Sequence, residues 1–327
     1  MEYVMIPETD LKASRIGLGT WAIGGWLWGG TDESESILTI HRAFDAGITL
    51  IDTAPVYGFG VSEEIVGKAL KGLDRNRVVV ATKAGLEWAD NKVHRNSTPE
   101  RIRAEVEDSL RRLGVDVIDL FQIHWPDPKV PREETAGEIQ RLIEEGKIRA
   151  AGVSNYSPQD MDDFSQAVIL STAQPPYNLF ERGIDNDILP HCQGKGIALL
   201  TYGALCRGLL SGRMEPETKF TGDDLRKWDP KFKKPRYGHY LDAVSRLDAL
   251  ARERFGKTVI ALAVRWILDR GVQIALWGAR HPSQLEAVDG VMGWSLAEED
   301  FGEIDRILAE SIPDPVGPEF MAPPERP

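Results

Sequence analysis

The sequence has only two cysteines, Cys192 and Cys206, in 327 residues. Two cysteines are too few for the disulfide frameworks that hold small secreted domains together. No apolar run approaches the ~20 residues that a helix needs to cross a bilayer. The start, Met1-Glu2-Tyr3, is not a basic stretch followed by an apolar core. We therefore expect neither a secretory signal nor a membrane span, and we expect the protein in the cytoplasm.

Positive charge is also in short supply. The chain has 39 Lys plus Arg against 51 Asp plus Glu, a formal net charge of −12. Proteins that bind nucleic acid need clustered cations, because counterion release supplies much of their affinity. The charge balance argues against a nucleic-acid partner, and 42% hydrophobic with 28% charged residues is typical of a globular protein.

One local pattern recurs along most of the chain: an amphipathic helix, a glycine at its end, and a short apolar run. Such glycines fit the C′ position of a helix, where a positive φ is needed; they are Gly47, Gly114, Gly146, Gly196 and Gly271. The apolar runs are continuous, as in parallel strands buried on both faces. We predict strands at 16–18, 48–51, 78–81, 118–123, 150–153, about 173–174, 198–200 and 273–276. Eight such units predict an α/β protein with a single-domain (β/α)8 TIM barrel, and a doubly wound parallel sheet is the alternative.

Two stretches interrupt this repeat. Residues 213–240 are polar and rich in charge, Pro and Gly, and we predict a long loop without elements of its own. Residues 311–327 contain six prolines, so they are predicted to be extended; they either fold over the barrel mouth or fray. Near the start, residues 3–6 and those around Leu11 and Lys12 predict a hairpin that closes the barrel floor.

Four ionisable side chains lie at or just beyond the ends of successive predicted strands. Asp52 follows the second strand and Lys83 the third. His124 follows the fourth strand, and Tyr57 comes five residues after Asp52. Each one alone has an ordinary explanation, such as an Asx turn for Asp52 or a structural ion pair for Lys83. Together they point to an active site, because barrel enzymes place it at the carboxyl ends of the strands.

This combination suits carbonyl reduction. A phenol is protonated at neutral pH, and a nearby ammonium lowers its pKa toward the working range. We predict that Tyr57 donates a proton to the substrate oxygen, that Lys83 tunes it, and that Asp52 orients Lys83. His124 would bind the substrate oxygen through a ring N–H. No Cys or Ser nucleophile and no metal-ligand cluster stands out, so the hydride would come from an external cofactor.

The later strands end in groups that suit such a cofactor. Ser154, Asn155 and Gln174 offer hydroxyl and amide groups to a nicotinamide carboxamide, and the ring of Tyr202 can stack on the nicotinamide. Within residues 203–212, backbone N–H groups and the cation of Arg207 are available to a pyrophosphate. After the last strand, Arg280 and a short helix at Pro282-Ser283 lie where barrels commonly bind phosphate.

These motifs, in this order, resemble the aldo-keto reductase family. They are Asp-Thr-Ala-x-x-Tyr-Gly at 52–58, Lys83, Ile-His-Trp-Pro around His124, Gly-Val-Ser-Asn at 152–155, and Tyr202. The chain looks closest to the bacterial branch that includes general-stress-protein reductases and glycerol or glyceraldehyde oxidoreductases. The resemblance implies a (β/α)8 barrel that binds NAD(P)H without a Rossmann domain. It also implies a catalytic tetrad of Asp52, Tyr57, Lys83 and His124.

The resemblance also extends the expected binding residues, with Arg280 and Gln284 at the adenosine-phosphate end. Many relatives carry Glu-Asn shortly after the latter position, where this chain has Ala287-Val288. We predict NADPH, because an arginine can pair bidentately with its 2′-phosphate, and NADH is the alternative. The expected cofactor contacts are Thr20, Trp21, Ser154, Asn155, Gln174, Tyr202, Gly203, Leu205, Arg207, Gly208, Gly278, Arg280 and Gln284. The expected walls of the substrate pocket are Trp21, Trp28 and Trp125.

The sequence thus predicts an NADPH-dependent oxidoreductase that reversibly reduces small aldehydes or ketones to alcohols. Two other interpretations stay open. One is a redox-sensing regulatory subunit that binds the cofactor. The other is a barrel aldolase that uses Lys83 as a Schiff-base nucleophile. Neither the physiological substrate nor the oligomeric state can be predicted from these patterns.

Overall fold

Eight parallel strands close into a barrel in the computed structural model, which describes residues 1–326. The strands are β1 (Tyr3–Met5), β2 (Lys12–Ser14), β3 (Ile16–Gly19), β4 (Leu50–Asp52), β5 (Val79–Ala84), β6 (Leu86–Ala89), β7 (Lys92–Arg95), β8 (Ile118–Ile123), β9 (Ile148–Ser154), β10 (Leu170–Gln174), β11 (Ala198–Thr201) and β12 (Ile274–Gly278). The barrel runs β3-β4-β5-β8-β9-β10-β11-β12, and β12 pairs with β3. This closure confirms the (β/α)8 prediction and excludes a doubly wound sheet, which has free edges.

Nine α-helices within residues 1–326 surround or flank the barrel. They are α1 (Glu33–Asp45), α2 (Val61–Leu70), α3 (Pro99–Leu113), α4 (Arg132–Glu144), α5 (Pro158–Phe164), α6 (Ile188–Lys195), α7 (Arg236–Phe255), α8 (Val259–Asp269) and α9 (Glu298–Ser311). The five glycines predicted at helix–strand joints all have positive φ, between 65° and 92°. None of these helices is both long and apolar enough to span a bilayer.

The predicted hairpin closes the floor of the barrel. β1 pairs with β2 in antiparallel register, from Tyr3 opposite Ser14 to Met5 opposite Lys12. The hairpin contributes buried apolar side chains to a cluster inside the barrel, which contains Ile6, Leu11, Leu50, Val79, Leu120, Leu200 and Ile274. Because burial of each large aliphatic side chain contributes about 1.5–3 kcal/mol, this end is a stabilising plug. The expected place for an active site is the opposite end of the barrel, at the carboxyl ends of the strands.

The prediction that residues 213–240 lack elements of their own is wrong. Two 3₁₀ turns, Leu225–Lys227 and Pro230–Phe232, lie inside this segment, and α7 begins before it ends. Each turn is preceded by an aspartate, Asp224 or Asp229, whose carboxylate accepts a hydrogen bond from the backbone N–H two residues later. This local capping orders a segment whose composition alone resembles a loop.

The C-terminal tail lies across the barrel mouth rather than fraying. After a 3₁₀ turn at Glu319–Met321, the Pro323 carbonyl accepts a hydrogen bond from Arg95 Nε at 2.8 Å, and the Pro324 carbonyl accepts one from the backbone N–H of Arg95 at 3.1 Å. Arg326 donates to the side chain of Asn96 at 2.7 Å. The tail is therefore joined to the hairpin formed by β6 and β7. The last predicted tail residue, at position 327, lies outside the described residues.

Both cysteines are buried and free. Burial raises the pKa of each thiol to about 12. Cys192 has its sulfur 3.9 Å from that of Met161 in the core, and Cys206 lies in the turn after β11. Neither side chain is a thiolate near neutral pH.

Candidate active site

The four predicted catalytic side chains meet at the carboxyl end of the barrel. Asp52 ends β4 and Lys83 lies on β5. Lys83 Nζ donates to Asp52 Oδ2 at 2.6 Å and to the Thr53 carbonyl at 3.0 Å. It also lies 3.3 Å from the hydroxyl of Tyr57, whose ring meets that of His124 edge-on with centroids 5.7 Å apart. The structure therefore brings together all four groups that strand ends had predicted.

Burial sets the protonation states of this set. Burial, with the Asp52 carboxylate, raises the pKa of Tyr57 well above its usual value. Burial, with the Lys83 ammonium, lowers the pKa of His124 well below its usual value. At neutral pH the phenol is therefore a protonated donor and the imidazole is neutral. The shift of the Tyr57 pKa is opposite to the lowering that the sequence predicted, because burial and the Asp52 carboxylate both disfavour the phenolate.

Asp52 has partners that the sequence did not predict. Its Oδ1 atom accepts hydrogen bonds from Gln174 Nε2 at 2.8 Å and from Gln122 Nε2 at 3.2 Å. Gln174 Nε2 also donates to Gln122 Oε1 at 3.2 Å. Gln122 was missed, although it is an amide in a run of apolar strand residues, two positions before His124. That spacing places it on the same side of the strand.

The predicted carboxamide contacts lie side by side at the ends of β9 and β10, with Asn155 directly after β9. Ser154 Oγ donates to the Gln174 carbonyl at 2.8 Å, and Asn155 Nδ2 donates to Ser154 Oγ and to the His124 carbonyl, both at 3.0 Å. Tyr202 donates its hydroxyl proton to Asn155 Oδ1 at 2.9 Å. The Oε1 atom of Gln174 accepts no hydrogen bond from residues 1–326, so it is available to a ligand.

Two cavities meet at Tyr57. The tryptophan cavity, of about 420 Å³, has mainly apolar walls that include Trp21, Trp26, Val56, Val93, Trp125, Met321 and Pro323. The arginine cavity, of about 410 Å³, is lined by residues that include Thr20, Trp28, Gly203, Leu205, Gly208, Arg213, Arg226, Gly278, Arg280 and Gln284. Trp21, Tyr57, Tyr202 and Met321 line both cavities. A molecule in one cavity can therefore contact a molecule in the other beside the Tyr57 hydroxyl.

Of the three tryptophans predicted to wall one pocket, Trp28 does not line the same cavity as Trp125. Its ring lines the arginine cavity, edge-on to Trp21 at 5.5 Å and 5.5 Å from the Arg226 guanidinium. Trp26, two residues earlier, lines the tryptophan cavity instead. Leu27 between them has a φ of 66°. The left-handed backbone at Leu27 lies between the two tryptophans, whose rings line different cavities. Leucine rarely adopts a positive φ, so the sequence gives no signal for this conformation.

Arg207 lines the arginine cavity, but its guanidinium is not the free cation that the sequence predicted for a pyrophosphate. Its Nε donates to Asp229 Oδ2 at 2.6 Å, and its Nη2 pairs with Glu181. Lys231 Nζ lies 2.7 Å from Glu181 Oε1 and donates to the tail carbonyl of Gly317 at 3.0 Å. These two cations and two carboxylates form a closed four-charge cluster, with every side chain at most 4% exposed. The guanidinium charge is already neutralised by protein.

Arg280 and Gln284 lie at the predicted short helix after β12, which is the 3₁₀ turn Pro282–Leu285. Gln284 Oε1 accepts hydrogen bonds from the backbone N–H groups of Arg280 at 2.9 Å and His281 at 3.1 Å. Gln284 thus shapes the turn. Arg280 Nη1 donates to the Trp28 carbonyl at 2.7 Å, which ties the loop after β3 to the wall of the arginine cavity. No carboxylate within residues 1–326 pairs with this guanidinium.

Known proteins resemble this chain over almost all of its length. The model of the aldo/keto reductase family matches residues 15–309. Aldo-keto reductase YhdN of Bacillus subtilis (strain 168) is 59% identical over 328 residues, which cover 100% of this chain and 99% of that protein. NADH-specific methylglyoxal reductase of Escherichia coli (strain K12) is 37% identical, over 95% of this chain and 99% of that protein.

Solved structures agree with these relatives. The glycerol dehydrogenase AKR11B4 from Gluconobacter oxydans superposes with a TM-score of 0.89 at 56% identity, over 98% of this chain and 99% of that one. The holo form of the aldo-keto reductase AKR11C1 from Bacillus halodurans gives 0.77 at 28% identity, over 94% and 96%. The family model, the sequence relatives and the solved structures all indicate aldo-keto reductases. The chain therefore belongs to the aldo/keto reductase family, which are oxidoreductases of aldehydes and ketones.

Proposed function

We propose that this protein is an NADPH-dependent reductase of aldehydes or ketones, acting reversibly, with Tyr57 as the proton donor. One observation carries the proposal: the Tyr57 hydroxyl, bonded to Lys83, lies where the two cavities meet. A hydride donor in the arginine cavity and a carbonyl in the tryptophan cavity would meet beside a protonated phenol. General acid catalysis requires this arrangement of donor and reacting oxygen.

The arginine cavity and its rim fit a nicotinamide dinucleotide. Where this cavity meets the tryptophan cavity, the Tyr202 ring, which lines both, offers a stacking surface. Gln174, which lines the tryptophan cavity beside Tyr57, can accept a hydrogen bond from the carboxamide through its unpartnered Oε1 atom. Arg213 and Arg280 line the same cavity as cations for phosphate groups, and neither pairs with a carboxylate of residues 1–326. When bound, the nicotinamide supplies the hydride. We assign NADPH because Arg280 suits a 2′-phosphate.

The protein's own side chains orient the substrate oxygen and transfer the proton to it. His124, neutral at working pH, donates a ring N–H to the substrate oxygen and fixes its orientation. Tyr57 then transfers its proton to that oxygen, and the resulting phenolate lies 3.3 Å from the Lys83 ammonium. Asp52 keeps Lys83 charged and in place through the 2.6 Å ion pair. In the oxidative direction, the same phenolate would act as the base.

We infer that the carbonyl carries an apolar or aromatic group. Trp21, Trp26 and Trp125 wall the tryptophan cavity, and Tyr57 and His124, which would bind the carbonyl oxygen, also line it. Two of the relatives are a methylglyoxal reductase and a glycerol dehydrogenase. Methylglyoxal and glycerol are small polar molecules, whereas this cavity has a volume of about 420 Å³ and mainly apolar walls. Burial of an aromatic ring contributes about 2 kcal/mol or more. We therefore expect kcat/KM at least about tenfold higher for benzaldehyde than for glyceraldehyde.

The aldolase alternative fits poorly. A Schiff base needs a neutral amine that a carbonyl can reach. Lys83 is fully buried, is held by Asp52 at 2.6 Å, and lines neither cavity. The redox-sensing subunit is the alternative that the following experiment separates from the reductase.

The test is to titrate the purified protein with NADPH and NADH, and then to follow loss of the reduced-nicotinamide absorbance with benzaldehyde, glyceraldehyde and methylglyoxal. NADPH binding at least about tenfold tighter than NADH binding, with turnover, is the expected result. Tight binding without turnover of any carbonyl would favour the sensor. Preference for NADH would overturn the cofactor assignment, and binding of neither nucleotide would overturn the whole proposal.

A further inference from the structure

We propose that Gln122 is a positioning residue for this reaction: it holds the Asp52 carboxylate and the Gln174 amide in one network. It thereby connects the nicotinamide end of the cofactor site to the proton donor. This inference rests on the proposed function and adds to it a residue that touches neither substrate nor cofactor.

The geometry of the three side chains allows only one arrangement of the Gln122 amide. Its Nε2 atom lies 3.2 Å from Asp52 Oδ1, and its Oε1 atom lies 3.2 Å from Gln174 Nε2. If this amide were reversed, an oxygen would face the carboxylate and an NH₂ group would face another NH₂ group. Gln122 is therefore a donor to Asp52 and an acceptor for Gln174 at the same time.

The neighbouring strand leaves space for this amide. A Cβ atom at Gly152 of β9 would lie 2.8 Å from Gln122 Cγ and 2.3 Å from Thr172 Oγ1, both too close for unstrained packing. The bare backbone at Gly152 thus lets Gln122 extend inside the barrel. The hydroxyl of Thr172, in contrast, is buried without a hydrogen-bond partner. Burial at this level of the barrel therefore does not by itself give a polar side chain a hydrogen-bond partner, whereas Gln122 has two.

Two consequences follow for the site. Asp52 binds Lys83 through Oδ2, and Gln122 helps to hold Oδ1, so the carboxylate cannot turn away from the ammonium. Gln174 gives its amide hydrogens to Asp52 and Gln122, which leaves its Oε1 atom for the carboxamide. Gln122 thus determines which atom of Gln174 the cofactor meets while it fixes the partner of Lys83.

The first test is Gln122→Leu, which keeps a buried side chain of similar size and removes both bonds. We expect kcat for carbonyl reduction to fall by about tenfold or more and the Kd for NADPH to rise several-fold, since a hydrogen bond to a charged group is lost. Thr172→Val is the matched control, because it alters an equally buried side chain at the same level without removing a bond. It should leave kcat and Kd unchanged.

The second test is Gln122→Glu, which adds a readout that a packing role would not produce. A protonated glutamic acid can donate to Asp52 as the amide does, whereas a glutamate would repel it. Activity should therefore approach that of the wild type at low pH and fall as pH rises through the apparent pKa of the carboxyl pair. Asp52, Tyr57, Lys83 and His124 are the charged or titratable groups that surround this position, so the wild-type profile over about pH 5.5 to 9 is the reference.

Each outcome decides the matter. Wild-type kcat, Kd and pH profile in both Gln122 variants would overturn the inference while leaving the reductase intact. Equal losses in Gln122→Leu and Thr172→Val, with no recovery of Gln122→Glu at low pH, would also overturn it, because packing alone would then explain the losses. If the wild type binds NADPH but reduces nothing, the proposed function fails, and the weaker NADPH binding of Gln122→Leu still supports the network. Binding of neither nucleotide by the wild type overturns both.

Discussion

The barrel mouth holds two groups of buried charges, the four-charge cluster and the catalytic tetrad. They differ in whether a proton donor beside the charges opens onto a cavity. In the four-charge cluster, Arg207 and Lys231 each lie within ion-pair distance of both Glu181 and Asp229, so the two positive charges are matched by two negative ones. In the tetrad, the Asp52–Lys83 ion pair is matched as well, but the phenol beside it opens onto two cavities.

The difference shows what identifies a catalytic site in this molecule. Burial of charge is common to both groups, so burial alone does not distinguish them. The four-charge cluster holds structure together: it joins the 213–240 segment to the tail through Lys231 and Gly317. The tetrad offers a proton donor and a neutral imidazole to whatever enters the cavities. Changes in the first should therefore affect folding, and changes in the second should affect turnover.

The largest expected effect is on turnover, from Tyr57→Phe. Removal of the hydroxyl removes the proton donor, and we expect kcat for carbonyl reduction to fall by about a thousandfold. The Kd for NADPH should stay within about twofold, because the ring and the cavity walls remain. Steady-state kinetics and nucleotide titration measure both quantities, and turnover comparable to the wild type would remove Tyr57 as the donor.

Arg207→Met should instead lower stability and leave turnover nearly unchanged. It leaves Glu181 and Asp229 short of a cation in a buried place, which costs about 3–5 kcal/mol in the free energy of unfolding. Turnover per folded molecule should change far less than in the Tyr57 variant. Urea denaturation measures the loss, with Arg306→Met as the control, because the ion pairs of Arg306 are exposed and screened by solvent and should add little to stability. Equal stability of the two variants would contradict this view of the cluster.

Arg280→Ala should have a smaller and selective effect. Arg280 has no carboxylate partner in residues 1–326, so we expect its charge to serve a ligand phosphate, unlike that of Arg207. The Kd for NADPH should rise about tenfold more than the Kd for NADH. Equal weakening of both would mean that Arg280 acts only by holding the loop at the Trp28 carbonyl.

The smallest expected effect is that of pH on kcat/KM for carbonyl reduction by the wild type. The raised pKa of Tyr57 keeps the donor protonated above neutrality, so the reduction rate is lost only when pH rises through that high value. The lowered pKa of His124 keeps the imidazole neutral, so no inflection should appear near the ordinary histidine value of about 6.5. A profile of kcat/KM between about pH 6 and 9 should be nearly flat. A step near neutrality would show that one of these groups titrates there.

The tetrad could be predicted from the sequence because chain connectivity alone brings strand ends to one rim of a barrel. The roles of Arg207 and Trp28 could not. Arg207 finds its partners 26 and 22 residues away, on segments whose approach depends on packing. Trp28 points to its cavity after a residue with positive φ, which sequence patterns do not reveal at leucine. Gln122 belongs to a network of three strands, and only assembly of the barrel shows it.

The two buried cysteines make this chain convenient for site-specific labelling. Because their thiols are enclosed and their pKa values are raised to about 12, a maleimide dye should not modify them in the folded protein. A cysteine introduced in place of Trp228, which is 56% exposed in the 213–240 segment, would then be the reactive thiol. A fluorophore attached there would report movements of that segment, and delayed reaction at the native cysteines would report global unfolding.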